Sequence, residues 1–114
     1  MGVAIAGPPI RRGHVYLVRL DPTLGSEIKK TRPCVVVSPD ELNEHLRTVI
    51  IAPMTTGGRA SPWRPRCRFQ GRPGFVTLDQ LRTVDVERLV KSLGQLEDAT
   101  VVSVLDRLQD MFAV

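Results

Sequence analysis

The chain has 114 residues, 42% of them hydrophobic and 25% charged, with a formal net charge of +4. That is ordinary for a globular protein with one core and too short for two. Its longest uncharged apolar runs are a few residues, far below a membrane span.

Residues 1–10 are small and apolar, with Pro8-Pro9 near their end and no basic residue ahead of them. A secretory signal has its charge first, so 1–10 read as a flexible leader and 11–114 as one domain. After Arg11-Arg12-Gly13, residues 14–20 form a strand in which Val15, Leu17 and Arg19 alternate with His14, Tyr16, Val18 and Leu20. A second strand occupies 34–37. Between the two, Asp21-Pro22 and Gly25-Ser26 are turn signals that suit a loop longer than a tight hairpin. This loop carries Glu27, Lys29 and Lys30, and Arg32 stands where the second strand begins. Pro33 biases Arg32 towards an extended backbone, so its direction is set locally. A guanidinium fixed by a sheet beside a loop free to close over a ligand has the form of a site. The plainer alternative is a surface ion pair between Arg32 and Glu27.

Ser38-Pro39-Asp40 starts a short helical turn at 41–46. Residues 48–52 read as a third strand stopped by Pro53, and Thr55-Thr56-Gly57-Gly58 opens a flexible loop that runs to Pro62. A fourth strand is expected at 63–70, a turn at 71–74 and a fifth strand at 75–78. A short strand at 82–84, a helical turn at 86–89 and a last strand at 90–93 follow. From Asp98 the period becomes helical, with Val101, Val104, Leu105, Leu108, Met111 and Phe112 on one stripe. The resulting fold class is mostly β with a C-terminal helix: a small, curled, largely antiparallel barrel that the helix partly covers.

Cys34 and Cys67 stand far apart, with no C-x-x-C and no clustered histidine. Both read as reduced, mostly buried thiols of a cytosolic protein, and neither a disulfide nor a zinc site is expected. His45 falls in the short helix without a partner motif, so no histidine acid–base pair with His14 is read. Trp63 has the position of a partly buried packing residue, with base stacking the alternative. Charge is unevenly spread: 59–72 holds five arginines and no acid, whereas 97–110 holds four acids and one arginine. This suggests one surface for an anionic partner and another for something different. Equally, Arg64, Arg66 and Arg68 alternate with Pro65, Cys67 and Phe69, as on a solvated strand face.

Three segments together carry a resemblance. Asp21-Pro22-Thr23 with Gly25-Ser26-Glu27, then Arg32-Pro33 and a valine strand, is similar to the MazF/PemK toxin family of toxin–antitoxin endoribonucleases. So are Ile51-Ala52-Pro53-Met54-Thr55 and the stretch Phe75-Val76-Thr77-Leu78-Asp79-Gln80-Leu81-Arg82-Thr83-Val84. The resemblance implies an SH3-like (MazF/CcdB/PemK-like) barrel acting in the cytoplasm as a homodimer. It implies cleavage of single-stranded RNA at a short preferred sequence without a metal or other cofactor. The family's reactive arginine and threonine correspond to Arg32 and Thr55, and a glutamate implicated in some members corresponds to Glu27. RNA contacts are expected at Gly25, Ser26, Lys29, Lys30 and Thr31 of the loop, at Thr56, at Arg64 and Arg66, and at Gln80 and Arg82. One departure is His14, where the family commonly has aspartate.

The chemistry is coherent without the family. RNA brings its own nucleophile, the 2′-hydroxyl, so the protein has only to align it, stabilise charge on the phosphate and help the 5′-oxygen leave. Arg32 offers a bidentate fork and Thr55 a hydroxyl donor, while Glu27 is placed to orient the guanidinium. A guanidinium is a poor base, so its role is charge stabilisation and proton donation. The expected inhibitor is a cognate antitoxin whose acidic, flexible tail fills the RNA groove. Fold does not fix function, so two alternatives stand beside the endoribonuclease: a CcdB-like gyrase-binding toxin, whose barrel the resemblance also implies, and a non-catalytic RNA- or protein-binding module.

Overall fold

Alternating apolar residues build the first strand, β1 (His14–Arg19), with Val15 and Val18 fully buried on opposite faces. The computed structural model describes residues 9–114, so residues 1–8 of the expected leader lie outside the described residues. Ile10, at the end of that stretch, is buried beside Val18 and Leu20. The other strands are β2 (Thr31–Val36), β3 (Thr48–Thr55), β4 (Arg66–Phe69), β5 (Arg72–Val76), β6 (Arg82–Asp85) and β7 (Leu89–Gln95). Helices α1 (Asp40–His45) and α2 (Asp98–Phe112) and short 3₁₀ turns at Leu78–Gln80 and Val86–Arg88 complete the described chain.

The strands hydrogen-bond in the order β4-β5-β3-β2-β1-β7, all antiparallel, with β6 paired to the first half of β3. The sheet curls into a half-barrel. Its two ends meet where Gln70 Nε2 donates to the Leu93 carbonyl at 3.0 Å. Both faces are covered, which explains the near-continuous apolar run in β3. Val49 and Ile51 join a core with Val18, Leu20, Cys34 and Val36, while Ala52 and Met54 join one with Val15, Val35, Val76 and Leu78. Helix α2 packs on the second core through Val101, Val104, Leu108 and Met111. Its approach depends on Gly13, at φ +89°, where a β-carbon would stand 2.9 Å from Val101 Cγ2. Phe112, expected on the same stripe, is instead exposed at the helix end.

Several boundaries differ from the sequence reading. β2 starts three residues early at Thr31, β5 ends at Val76 before the 3₁₀ turn at Leu78, and β7 extends to Gln95. Three further differences have a clear cause. β3 continues through Pro53 to Thr55, because Pro53 falls between the residues paired with β6 and those paired with β5, where its missing N–H costs no ladder bond to either. The Pro53 carbonyl is meanwhile taken by Thr77, through its N–H at 2.8 Å and its hydroxyl at 2.7 Å. β4 begins only at Arg66, since Ser61 and Arg64 close a separate small bridge. The turn expected at 71–74 lies at Gln70-Gly71, whose φ values of 51° and 77° make a two-residue hairpin, and Pro73 and Gly74 belong to β5. Among the described residues no helix is long and apolar enough to cross a membrane.

Candidate active site

The β1–β2 loop is shaped by its own polar groups. Leu20 N–H donates to the Lys30 carbonyl at 2.8 Å and closes its base, with Lys30 at φ 72°. The Glu27 carboxylate accepts the Leu24 N–H at 2.6 Å, and Glu27 N–H returns a bond to the Leu24 carbonyl at 3.0 Å. The Asp21 carboxyl is held below the usual carboxylate range, first by the Lys30 backbone N–H and then by the Thr23 hydroxyl, with Lys29 and Lys30 adding their charge. Gly25, Ser26, Lys29, Lys30 and Thr31 all lie exposed along this loop and at its junction with β2.

Arg32 lies one residue into β2, opposite Val18. Its Nε donates to the Lys29 carbonyl at 3.2 Å, and among the described residues its guanidinium makes no ion pair. Thr55 ends β3, its hydroxyl donating to the Gly57 carbonyl at 3.1 Å. The β2–β3 register ends at Cys34 opposite Pro53. Continued two residues further, the same register sets Arg32 against Thr55 on one face. The two side chains line a single cleft of about 450 Å³, floored by Met54, Cys67, Phe69 and Leu93 and edged by Thr56, Gln70 and Arg72. β5 closes one wall because Gly74 has no side chain. A β-carbon there would stand 2.3 Å from the Thr55 carbonyl oxygen.

Glu27 is elsewhere. With Gln80, Arg82 and Asp79 it lines a second cleft of about 390 Å³, and its carboxylate is engaged with Leu24, neither orienting Arg32 nor pairing with it. Gln80 Oε1 accepts the Ile28 N–H at 3.1 Å, and Arg82 donates to the Leu20 carbonyl at 3.0 Å. Arg64 is committed as well: it forks onto Asp79 at 2.9 and 2.8 Å, holding that carboxyl below its ordinary range and raising its own pKa. Arg66 lies over the Phe75 ring, 5.7 Å from its centroid, and with Arg68, Thr56 and Thr100 lines a third hollow of about 550 Å³. That hollow adjoins the Arg32 cleft, sharing Thr56, Cys67, Pro73 and Gly74 with it.

Sequence reasoning missed Gln70 and Arg72 as neighbours of Arg32. The Gln-Gly pair was their only signal, since a two-residue turn there sends both back towards the site. His14 pairs with Gln95 and lines none of the three clefts. Trp63 is 39% exposed. Both cysteines are free thiols. Burial pushes Cys34 up to about 12, against the nearby charge of Arg82, and also raises the half-buried Cys67. Among the described residues no three His, Cys, Asp or Glu side chains gather as a metal-holding group.

The family model for PemK-like, MazF-like toxins of type II toxin–antitoxin systems matches residues 11–112. The chain belongs to this family. It is 35% identical over 105 residues to the endoribonuclease PemK of Escherichia coli, covering 87% of this chain and 79% of that protein. It is 33% identical over 101 residues to the endoribonuclease MazF of Staphylococcus epidermidis, covering 83% and 84%. Among solved structures, MazF from Deinococcus radiodurans superposes with a TM-score of 0.82 at 21% identity, over 95% of this chain and all of that one, which supports the fold. A mycobacterial endoribonuclease in complex with its cognate antitoxin superposes with a TM-score of 0.74 at 25% identity, over 88% and 91%.

Proposed function

We propose that this toxin is a cytoplasmic endoribonuclease that cuts single-stranded RNA in the cleft between Arg32 and Thr55, by attack of the substrate's own 2′-hydroxyl. The observation that carries the reading is the meeting of these two side chains, from β2 and β3, in one cleft, with a guanidinium that makes no ion pair among the described residues. The Nε bond to Lys29 leaves the terminal nitrogens free to fork onto two phosphate oxygens. Thr55 needs only to exchange its bond to the Gly57 carbonyl for one to the phosphate. As the 2′-oxygen attacks phosphorus, charge grows on those oxygens and both donors gain strength, which is differential stabilisation of the transition state. The 2′-hydroxyl gives its proton to water, the bond to the 5′-oxygen breaks and that oxygen takes up a proton, leaving a cyclic phosphate and a 5′-hydroxyl end.

Because the nucleophile belongs to the substrate, cleavage should proceed undiminished in EDTA. Replacing the 2′-hydroxyl at the cut site by hydrogen should abolish it. A 5′-phosphate product, or cutting of all-DNA oligomers, would refute the mechanism; no cutting of mixed-sequence RNA would leave a gyrase-binding or merely RNA-binding protein.

Two partners go with this reading: a second copy of the chain, and an antitoxin with an acidic, flexible tail laid along the basic trough that Arg66, Arg68 and Arg72 border. The tail and RNA then compete. Titrating an uncleavable RNA into the toxin–antitoxin complex should lower the antitoxin's apparent affinity. Undiminished simultaneous binding would contradict a shared groove.

A further inference from the structure

The backbone of the β1–β2 loop and of its junction with β1 receives side-chain hydrogen bonds from a distant part of the chain, residues 80–88. Arg88 donates to the carbonyls of Arg19 and Asp21 and Arg82 to that of Leu20, so the start of the loop is gripped by cations. Gln80 alone among these reaches the loop's second half, where its Oε1 takes the N–H of the half-buried Ile28. The next residue, Lys29, supplies the carbonyl that holds Arg32 Nε.

Gln80 is itself rigidly carried. It ends a 3₁₀ turn whose first residue, Leu78, is buried, and its own N–H bonds to the Thr77 carbonyl at 3.1 Å. Asp79 beside it is clamped by the Arg64 fork. Thr77 in turn spends its N–H and hydroxyl on the Pro53 carbonyl, two residues before Thr55. The segment 77–80 therefore braces both halves of the cleft: β3 through Pro53, and the loop that steers Arg32 through Ile28.

We infer that Gln80 is a positioning residue for RNA cleavage, fixing the direction of Arg32 through Ile28 and the Lys29 carbonyl, and is not a reader of the RNA. This rests on Arg32 acting on the phosphate as proposed above. The amide oxygen is what matters, because an acceptor is all that the Ile28 N–H requires. Losing it lets Lys29 and the guanidinium drift, and misplacing a reacting group by about 1 Å costs up to roughly a hundredfold in rate.

The test compares Gln80→Leu, Gln80→Asn and Gln80→Glu in the full chain. Leucine removes the acceptor, asparagine withdraws it by one methylene, and glutamate keeps an oxygen at the same reach. Single-turnover cleavage at saturating RNA, affinity for an oligomer with a 2′-deoxy cut site, and amide hydrogen exchange at Ile28 are measured. Leucine and asparagine should slow the saturating rate by roughly tenfold to a hundredfold, speed exchange at Ile28, and leave affinity within about a factor of two. Glutamate should restore the saturating rate and the protection of Ile28. An unchanged rate with weakened affinity would make Gln80 an RNA contact and overturn the inference. So would unchanged Ile28 exchange in the leucine and asparagine variants. Exchange at Ile28 is read without RNA, so it judges the brace even if Arg32→Ala were to cleave normally and the proposed site failed.

Discussion

Replacing Arg32 by alanine should slow RNA cleavage by roughly a hundredfold to a thousandfold, about 3–4 kcal/mol by analogy with loss of an oxyanion donor. The fold should be untouched. Arg32 is exposed, and among the described residues its side chain bonds only to a carbonyl in the adjoining loop. Arg32→Lys should recover little, because an ammonium cannot keep the Lys29 bond through Nε and also fork onto two phosphate oxygens. Thr55→Ala removes a neutral donor and should cost less than the charge. Single-turnover rates beside a thermal melt for each variant make the comparison. An Arg32→Ala protein that cuts at the wild-type rate would place the chemistry elsewhere.

Gly74→Ala should be the most damaging small substitution near the cleft. The new β-carbon would meet the Thr55 carbonyl oxygen at 2.3 Å; the oxygen is backbone and the β-carbon is fixed to backbone, so neither can swing aside. Relief requires β5 to move away from β3 at the Thr55–Phe75 pair. Overpacking of this kind costs about 1–3 kcal/mol. The melting temperature should fall by roughly 4 °C for each kcal/mol in a chain of this size, and turnover should fall with it because Thr55 moves. Gly57→Ala is the control: a β-carbon there meets nothing within 4 Å, and melting should not change. Equal melting temperatures for the two variants would show that the close approach at Gly74 is not a constraint.

The parts of the fold that could be read from sequence were those with an uninterrupted apolar run or period. β1 shows as a short apolar run of strand length, buried on both faces, and α2 shows its apolar stripe because one side meets the sheet and the other meets water. The β4–β5 hairpin was misplaced because Gln-Gly is a weaker signal for positive φ than Asn-Gly, whereas Pro73-Gly74 looks like a turn. Pro73 is accommodated in the strand opposite Arg68, short of the residues that pair with β3. At the site, Arg32 stood out as a guanidinium at a strand entrance, whereas Thr55, read as part of a loop after Pro53, came from the family resemblance alone. What each polar side chain is already bonded to was not legible, since Arg64 with Asp79, Gln80 with Ile28 and Arg82 with Leu20 join residues 15 to 62 apart in sequence. Only the curling of the sheet brings those pairs together.

The seam where the half-barrel ends meet bears on how the chain avoids self-association through its strands. An unclosed sheet leaves two edges, each a row of amides and carbonyls on which a foreign strand could grow. Here the edges β4 and β7 face each other, and Gln70 occupies the Leu93 carbonyl, while the four-residue β6, paired only with β3, keeps a further short edge. The Phe69 ring lies 3.9 Å from where a β-carbon on Gly94 would stand, filling the notch that glycine leaves. Arg66 and Arg68 on one edge and Lys91 on the other remain exposed, with Pro65 just ahead of β4. Cations and a proline at a short edge repel a second copy approaching in register, so these arginines guard against fibrous aggregation whether or not RNA ever touches them.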